Sequence, residues 1–125
     1  MDLETALKIS SSFGGGMGRL REVCGAVSGM FMVAGMVYGY LDPEDSEAKA
    51  KHYERIQLLA AKFRDENCSI ICRELLELQE GPDSHVPEDR TAGYYARRPC
   101  ADLVEHAAKI LDEYIQNNPP KGGSV

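Results

Sequence analysis

Apolar positions recur at helical spacing through most of the chain. Leu3, Ala6, Leu7 and Ile9 draw a rough stripe within residues 2–11 and predict a short helix. A glycine run, Gly14, Gly15, Gly16 and Gly18 around Met17, then interrupts the pattern and predicts a loop, because glycine costs entropy in a helix and freely enters positive φ. From 23 to 41 no residue is charged, which predicts a helix buried on nearly all sides, with a membrane span as the minor alternative. Gly25, Gly29, Gly35 and Gly39 argue for the first, since pairs four apart expose bare backbone on one face where a second helix can approach closely. Asp42 and Pro43 read as the start of a helix running to about 64, its inner face drawn by Tyr53, Ile56, Leu59, Ala60 and Phe63. A shorter helix is expected over 68–79 and a long ordered loop over 81–96. Pro99 opens a last helix whose apolar face holds Cys100, Leu103, Val104, Ala107, Ala108, Leu111 and Tyr114. The expected fold is all-α, a compact helical bundle around a central glycine-rich buried helix, with residues 1–116 one domain and 117–125 a flexible C-terminal tail.

Composition narrows the function classes. Fourteen Lys and Arg stand against 20 Asp and Glu, a net charge of −6, the wrong sign for gripping nucleic acid or an anionic membrane. Four cysteines are too few for a disulfide-dense secreted scaffold, and the start Met1-Asp2-Leu3-Glu4 lacks the basic and apolar regions of a signal peptide. A cytoplasmic protein with reduced thiols is the expectation. The histidines His52, His85 and His106 are read as solvent-facing, and no Ser-His-Asp set or carboxylate pair suggests hydrolysis.

The cysteines carry the candidate chemistry. Cys100 opens a helix just after Arg97 and Arg98, where the dipole and the guanidinium groups both favour thiolate. Cys24 follows Arg19, Arg21 and Glu22, charges of both signs. Cys68 and Cys72, four apart, are expected one turn from each other on a helix, a spacing open to two ligands of one metal. No Cys-x-x-Cys occurs, so neither a thioredoxin-type pair nor a zinc ribbon is written here. Cys24, Cys68, Cys72 and Cys100 together make a candidate set for an iron–sulfur cluster or zinc. The glycine run lacks the Lys-Ser/Thr ending of a phosphate loop. It is expected to wrap backbone tightly around the start of the glycine-rich helix. Gly14, Gly15, Gly16 and Gly25 are its candidate cofactor-contacting positions, with amides aimed at a sulfur or anion.

Phe13-Gly14-Gly15-Gly16-Met17-Gly18, Cys24-Gly25-Ala26-Val27-Ser28-Gly29, Cys72 and the helix-opening Cys100 together resemble the C-GCAxxG-C-C family of bacterial proteins, whose redox activity is inferred from their cysteines. The resemblance spans roughly residues 5–115 and implies a small helical fold in which Cys24, Cys72 and Cys100 are the reactive thiols. A member of the wider family, the split-Soret cytochrome c, is associated with a proposed iron–sulfur site. Members usually carry a further cysteine on an upstream helix, which this sequence lacks, while Cys68 is an addition. Without that helix an apolar groove would stay open and favour a homodimer. The expected function is reversible thiol–disulfide change, as in a thiol-dependent oxidoreductase with a separate redox partner, or cysteine ligation of a redox metal. The competing expectation is a non-catalytic helical interaction or dimerisation module with inert buried cysteines.

Overall fold

The computed structural model describes residues 1–78 and 82–120, the side chains of 95–97 excepted. Its helices are α1 (Leu3–Ser10), α2 (Gly14–Met17), α3 (Gly25–Tyr38), α4 (Ser46–Asn67), α5 (Cys72–Leu75), α6 (Ala92–Arg97) and α7 (Cys100–Asn117), with a 3-10 turn at Ser11–Phe13. The all-α expectation holds. The core forms where α3 crosses α7 and α4, with Val27, Met30 and Ala34 of α3 against Leu59 and Phe63 of α4 and Leu103, Ala107, Ile110 and Leu111 of α7. Val27, Leu59 and Phe63 are fully enclosed, so truncating any of them would leave a cavity costing about 2–5 kcal/mol.

Several boundaries differ from the sequence expectation. α3 is 14 residues long rather than 19, because Val23 and Cys24 pair with 70–71 before it and Gly39 turns extended and ends it. It is buried on one side only, with Val33 42% and Met36 58% exposed. Gly29 and Gly35 have open space where a Cβ would stand, so among the described residues no second helix packs closely on them. A Cβ on Gly39 would meet the Gly35 carbonyl of its own helix, whereas Gly25 is packed against another segment, its missing Cβ lying 2.9 Å from the Phe13 carbonyl oxygen, so the glycine run does wrap around the start of α3. α4 begins at Ser46, where Asp45 accepts from the Ala48 amide at 3.0 Å. Asp42 instead closes a preceding turn through its bond from the Glu44 amide. Tyr53, placed on the inner face of α4 by the sequence, is 51% exposed.

The expected helix over 68–79 is a single turn, α5. Cys68 ends α4 in the left-handed region at φ 74, so Cys68 and Cys72 do not share a helix. The expected loop over 81–96 contains α6, capped by Thr91. On α7, Val104 and Ala108 turn to solvent while Ile110 takes an inner position. His52 is buried and accepts at Nδ1 from the Arg55 guanidinium at 2.9 Å, and His106 is half-buried at 2.9 Å from the Asn67 amide oxygen; only His85 is exposed as expected. Arg55 also donates to the Tyr114 hydroxyl and stacks 4.4 Å from the Tyr38 ring, binding the C-terminal end of α3 to α4 and α7. No helix among the described residues is long and apolar enough to cross a membrane. Part of the tail, 121–125, lies outside the described residues.

Candidate functional site

The glycine run makes an unusual turn. Gly15, Gly16, Met17, Gly18 and Arg19 all take positive φ between 62 and 70, and the Gly18 amide closes the turn on the Gly14 carbonyl at 2.9 Å. Left-handed backbone costs a side-chain-bearing residue about 1–2 kcal/mol, so three glycines in five positions make the turn affordable. Arg21, also at positive φ, then leads into a short extended stretch.

That stretch decides where two of the cysteines go. Val23 and Ile71 form an isolated antiparallel bridge, flanked by bonds from the Cys24 amide to the Ile70 carbonyl at 2.8 Å and from the Cys72 amide to the Glu22 carbonyl at 2.6 Å. Side chains alternate across extended chain, so Cys24 and Cys72, each one step past the bridge, fall on the same face as diagonal neighbours. Both are buried, at 8% and 6% exposure. Gly16 supports the pair from below: a Cβ there would lie 2.5 Å from the Cβ of Cys72.

Arg21 completes the arrangement. It is only 5% exposed, its Nη1 lies 3.6 Å from the Cys72 sulfur, and its Nε and Nη2 reach the Asp83 carboxylate at 3.1 and 3.0 Å. Burial works against the guanidinium's charge, but the hydrogen bonds and charges of Cys72 and Asp83 outweigh it and raise its pKa. Asp83 is held below the usual carboxylate range, chiefly by the hydrogen bond from Arg21. Cys24 behaves in the opposite sense. Burial pushes its thiol up, the amides of Ala26 and Val27 pull against that, and Cys72 and Cys100 push it further up.

A cleft of about 700 Å³ gathers Cys24, Cys72 and Cys100 together with Gly14, Gly15, Gly16 and Gly25. Cys100 stands exposed at the first turn of α7 rather than on its apolar face. Arg98, expected to act on it, is committed to Glu88 at 3.0 Å. Cys68 is exposed and does not line the cleft. All four thiols are free, and among the described residues no three His, Cys, Asp or Glu side chains are gathered as metal ligands. Sequence reasoning set Arg21 beside Cys24 as a charge of uncertain effect and gave Asp83 no role. Arg21 and Cys72 are 51 positions apart, and no local signal joins them.

Fold and cleft together define a small helical protein with three cysteines brought to one cavity from three separate segments. The chain belongs to the family described as "Putative redox-active protein (C_GCAxxG_C_C)", which matches residues 1–114. No curated protein and no solved structure matches it.

Proposed function

We propose that Cys24 and Cys72 form a dithiol–disulfide couple, making the protein a thiol-dependent oxidoreductase. The observation that carries this is the Val23–Ile71 bridge, which sets the two sulfurs on one buried face with Arg21 beside only one of them. The asymmetry assigns roles. Cys72, with the Arg21 Nη1 3.6 Å from its sulfur, is the attacking residue; Cys24, whose thiol burial pushes up, is the resolving one. Cys72 sulfur attacks a substrate disulfide and releases one thiolate, which takes a proton. Cys24 then gives up its own proton and attacks the Cys72 sulfur of the mixed disulfide, releasing the second thiol and leaving Cys24–Cys72 oxidised. Two electrons pass to the substrate, and an external dithiol returns them.

Against a metal centre built from Cys24, Cys68, Cys72 and Cys100 weighs the position of Cys68 outside the cleft, with no three candidate ligands gathered among the described residues. The exchange reading is therefore preferred. Its test is an anaerobic redox titration in dithiothreitol buffers, with thiols counted and peptides mapped by mass spectrometry beside iron, zinc and sulfide analysis. Reversible loss of two thiols, linking the Cys24 and Cys72 peptides and absent from Cys24→Ser and Cys72→Ser, is the expected result. Stoichiometric metal would replace the couple by a metal centre, and four unreactive thiols would leave a structural module.

A further inference from the structure

The charge on the cleft walls is not that of the molecule. The chain carries a net −6, yet the cleft is lined by Arg19, Arg21, Arg90 and Arg98 and by no Asp or Glu among the described residues. Just outside, two carboxylates serve three of these guanidinium groups. Asp83 is shared, 3.5 Å from Arg19 and 3.0 Å from Arg21, and Glu88 takes Arg98. Arg90 meets no carboxylate among the described residues; its guanidinium lies 4.3 Å from the Tyr94 ring centre, on the exposed side of the cleft. Stacking on an aromatic fixes the plane of a guanidinium while leaving its N–H fork available, the form in which arginine recognises carboxylates. Elsewhere the walls are largely apolar, with Phe13 and Leu75 among them, and the volume is that of a site for a small organic molecule.

We infer that the substrate of this cleft is a small disulfide bearing carboxylates, whose anionic end is held by Arg90 while its sulfurs reach Cys72. The inference rests on the dithiol reading and names its substrate class. The overall step reduces one carboxylate-bearing disulfide to two thiols while Cys24 and Cys72 lose two protons and two electrons to form their disulfide.

The test uses the full chain, reduced and freed of reductant, mixed with three probes: bis(carboxymethyl) disulfide, neutral bis(2-hydroxyethyl) disulfide and cationic cystamine. Each rate of thiol release is divided by that probe's rate with free dithiothreitol. The dianionic probe is expected to lead the neutral one by about tenfold and cystamine by more, the lead shrinking as salt is added. Arg90→Gln should cut that lead to about threefold or less, and Arg90→Lys should restore part of it. Equal normalised rates for all three, or a lead that Arg90→Gln leaves intact, would overturn the assignment while the couple stands. If no probe reacts yet the redox titration still shows the Cys24–Cys72 couple, the small-disulfide substrate alone is wrong; if the titration also shows none, the dithiol reading falls with it.

Discussion

Gly16 is the residue on which the site's geometry is most sharply conditioned. Its φ of +68 is costly for any side chain, and the space for a Cβ is already taken by Cys72 and by the Arg21 backbone at 2.9 Å. Gly16→Ala is expected to cost about 2–4 kcal/mol in urea unfolding, the sum of left-handed strain and overpacking. Gly35→Ala, in open space within α3, should instead be neutral or gain up to about 1 kcal/mol. The two glycines look alike in the sequence; only the turn of one against Cys72 separates them. Cys24 adds a dependence on pH. Its thiol is raised by folding, so its contribution to stability is present at neutral pH and lost as pH climbs through the folded value, above the ordinary thiol near about 8.5. Under anaerobic reduction, stability should therefore fall more steeply above about pH 9 in the wild type than in Cys24→Ala, as denaturant midpoints across that range will read.

Among the elements, the longer helices α1, α3, α4 and α7 were legible and their ends were not, while the short α2 and α6 fall where loops are expected. The uncharged run over 23–41 reads as one helix because hydropathy does not distinguish an apolar residue in a bridge from one in a helix. Val23 pairs with Ile71, a contact no local pattern announces. Likewise Asp42 and Asp45 are both competent caps, and the chain uses the second. Cys100 is legible from its place at a helix start, and Cys24 and Cys72 join it as a set only through the family resemblance, because the sequence pattern sets Cys72 inside an expected helix over 68–79 that the chain does not form. Arg21 and Asp83 were not, since their roles depend on a long-range fold. Asp83 also ties the 82–90 segment to the turn after the glycine run, through its amide bond to the Arg19 carbonyl at 2.9 Å and the Arg19 bond to the Ser84 carbonyl at 2.6 Å. Folding lowers its carboxyl, so this tether holds at neutral pH and is released as pH falls below the ordinary carboxylate range of about 4. Asp83→Asn should release it at pH 7, seen as faster proteolysis within 82–90 and an altered alkylation rate at Cys72, while the cleavage pattern of α4 stays unchanged.

At the scale of the whole molecule, redox state and stability become one equilibrium. Cys24 immediately precedes α3 and Cys72 begins α5, so a bond between them would close a loop of about 50 residues that contains all of α3 and α4. Cross-linking a loop of that length removes enough unfolded-chain entropy to add about 4 kcal/mol in the chain-entropy account, less whatever strain the bond introduces. Diagonal neighbours across a bridge sit about 7–8 Å apart, just beyond disulfide reach, so closing the bond draws residues 24 and 72 together and its strain lowers the gain. Oxidised protein is therefore expected to unfold at higher urea than reduced protein, with a gain of about 2–4 kcal/mol that disappears in Cys24→Ser and persists in Cys68→Ser, since Cys68 stands outside the cleft. Linkage makes the measurement a check on the couple itself, because a fold that is stabilised by its disulfide must hold that disulfide more tightly against reduction by the same free energy. Oxidation that leaves the urea midpoint unmoved, or moves it equally in Cys24→Ser, would mean that the thiols pair elsewhere or only after the fold opens.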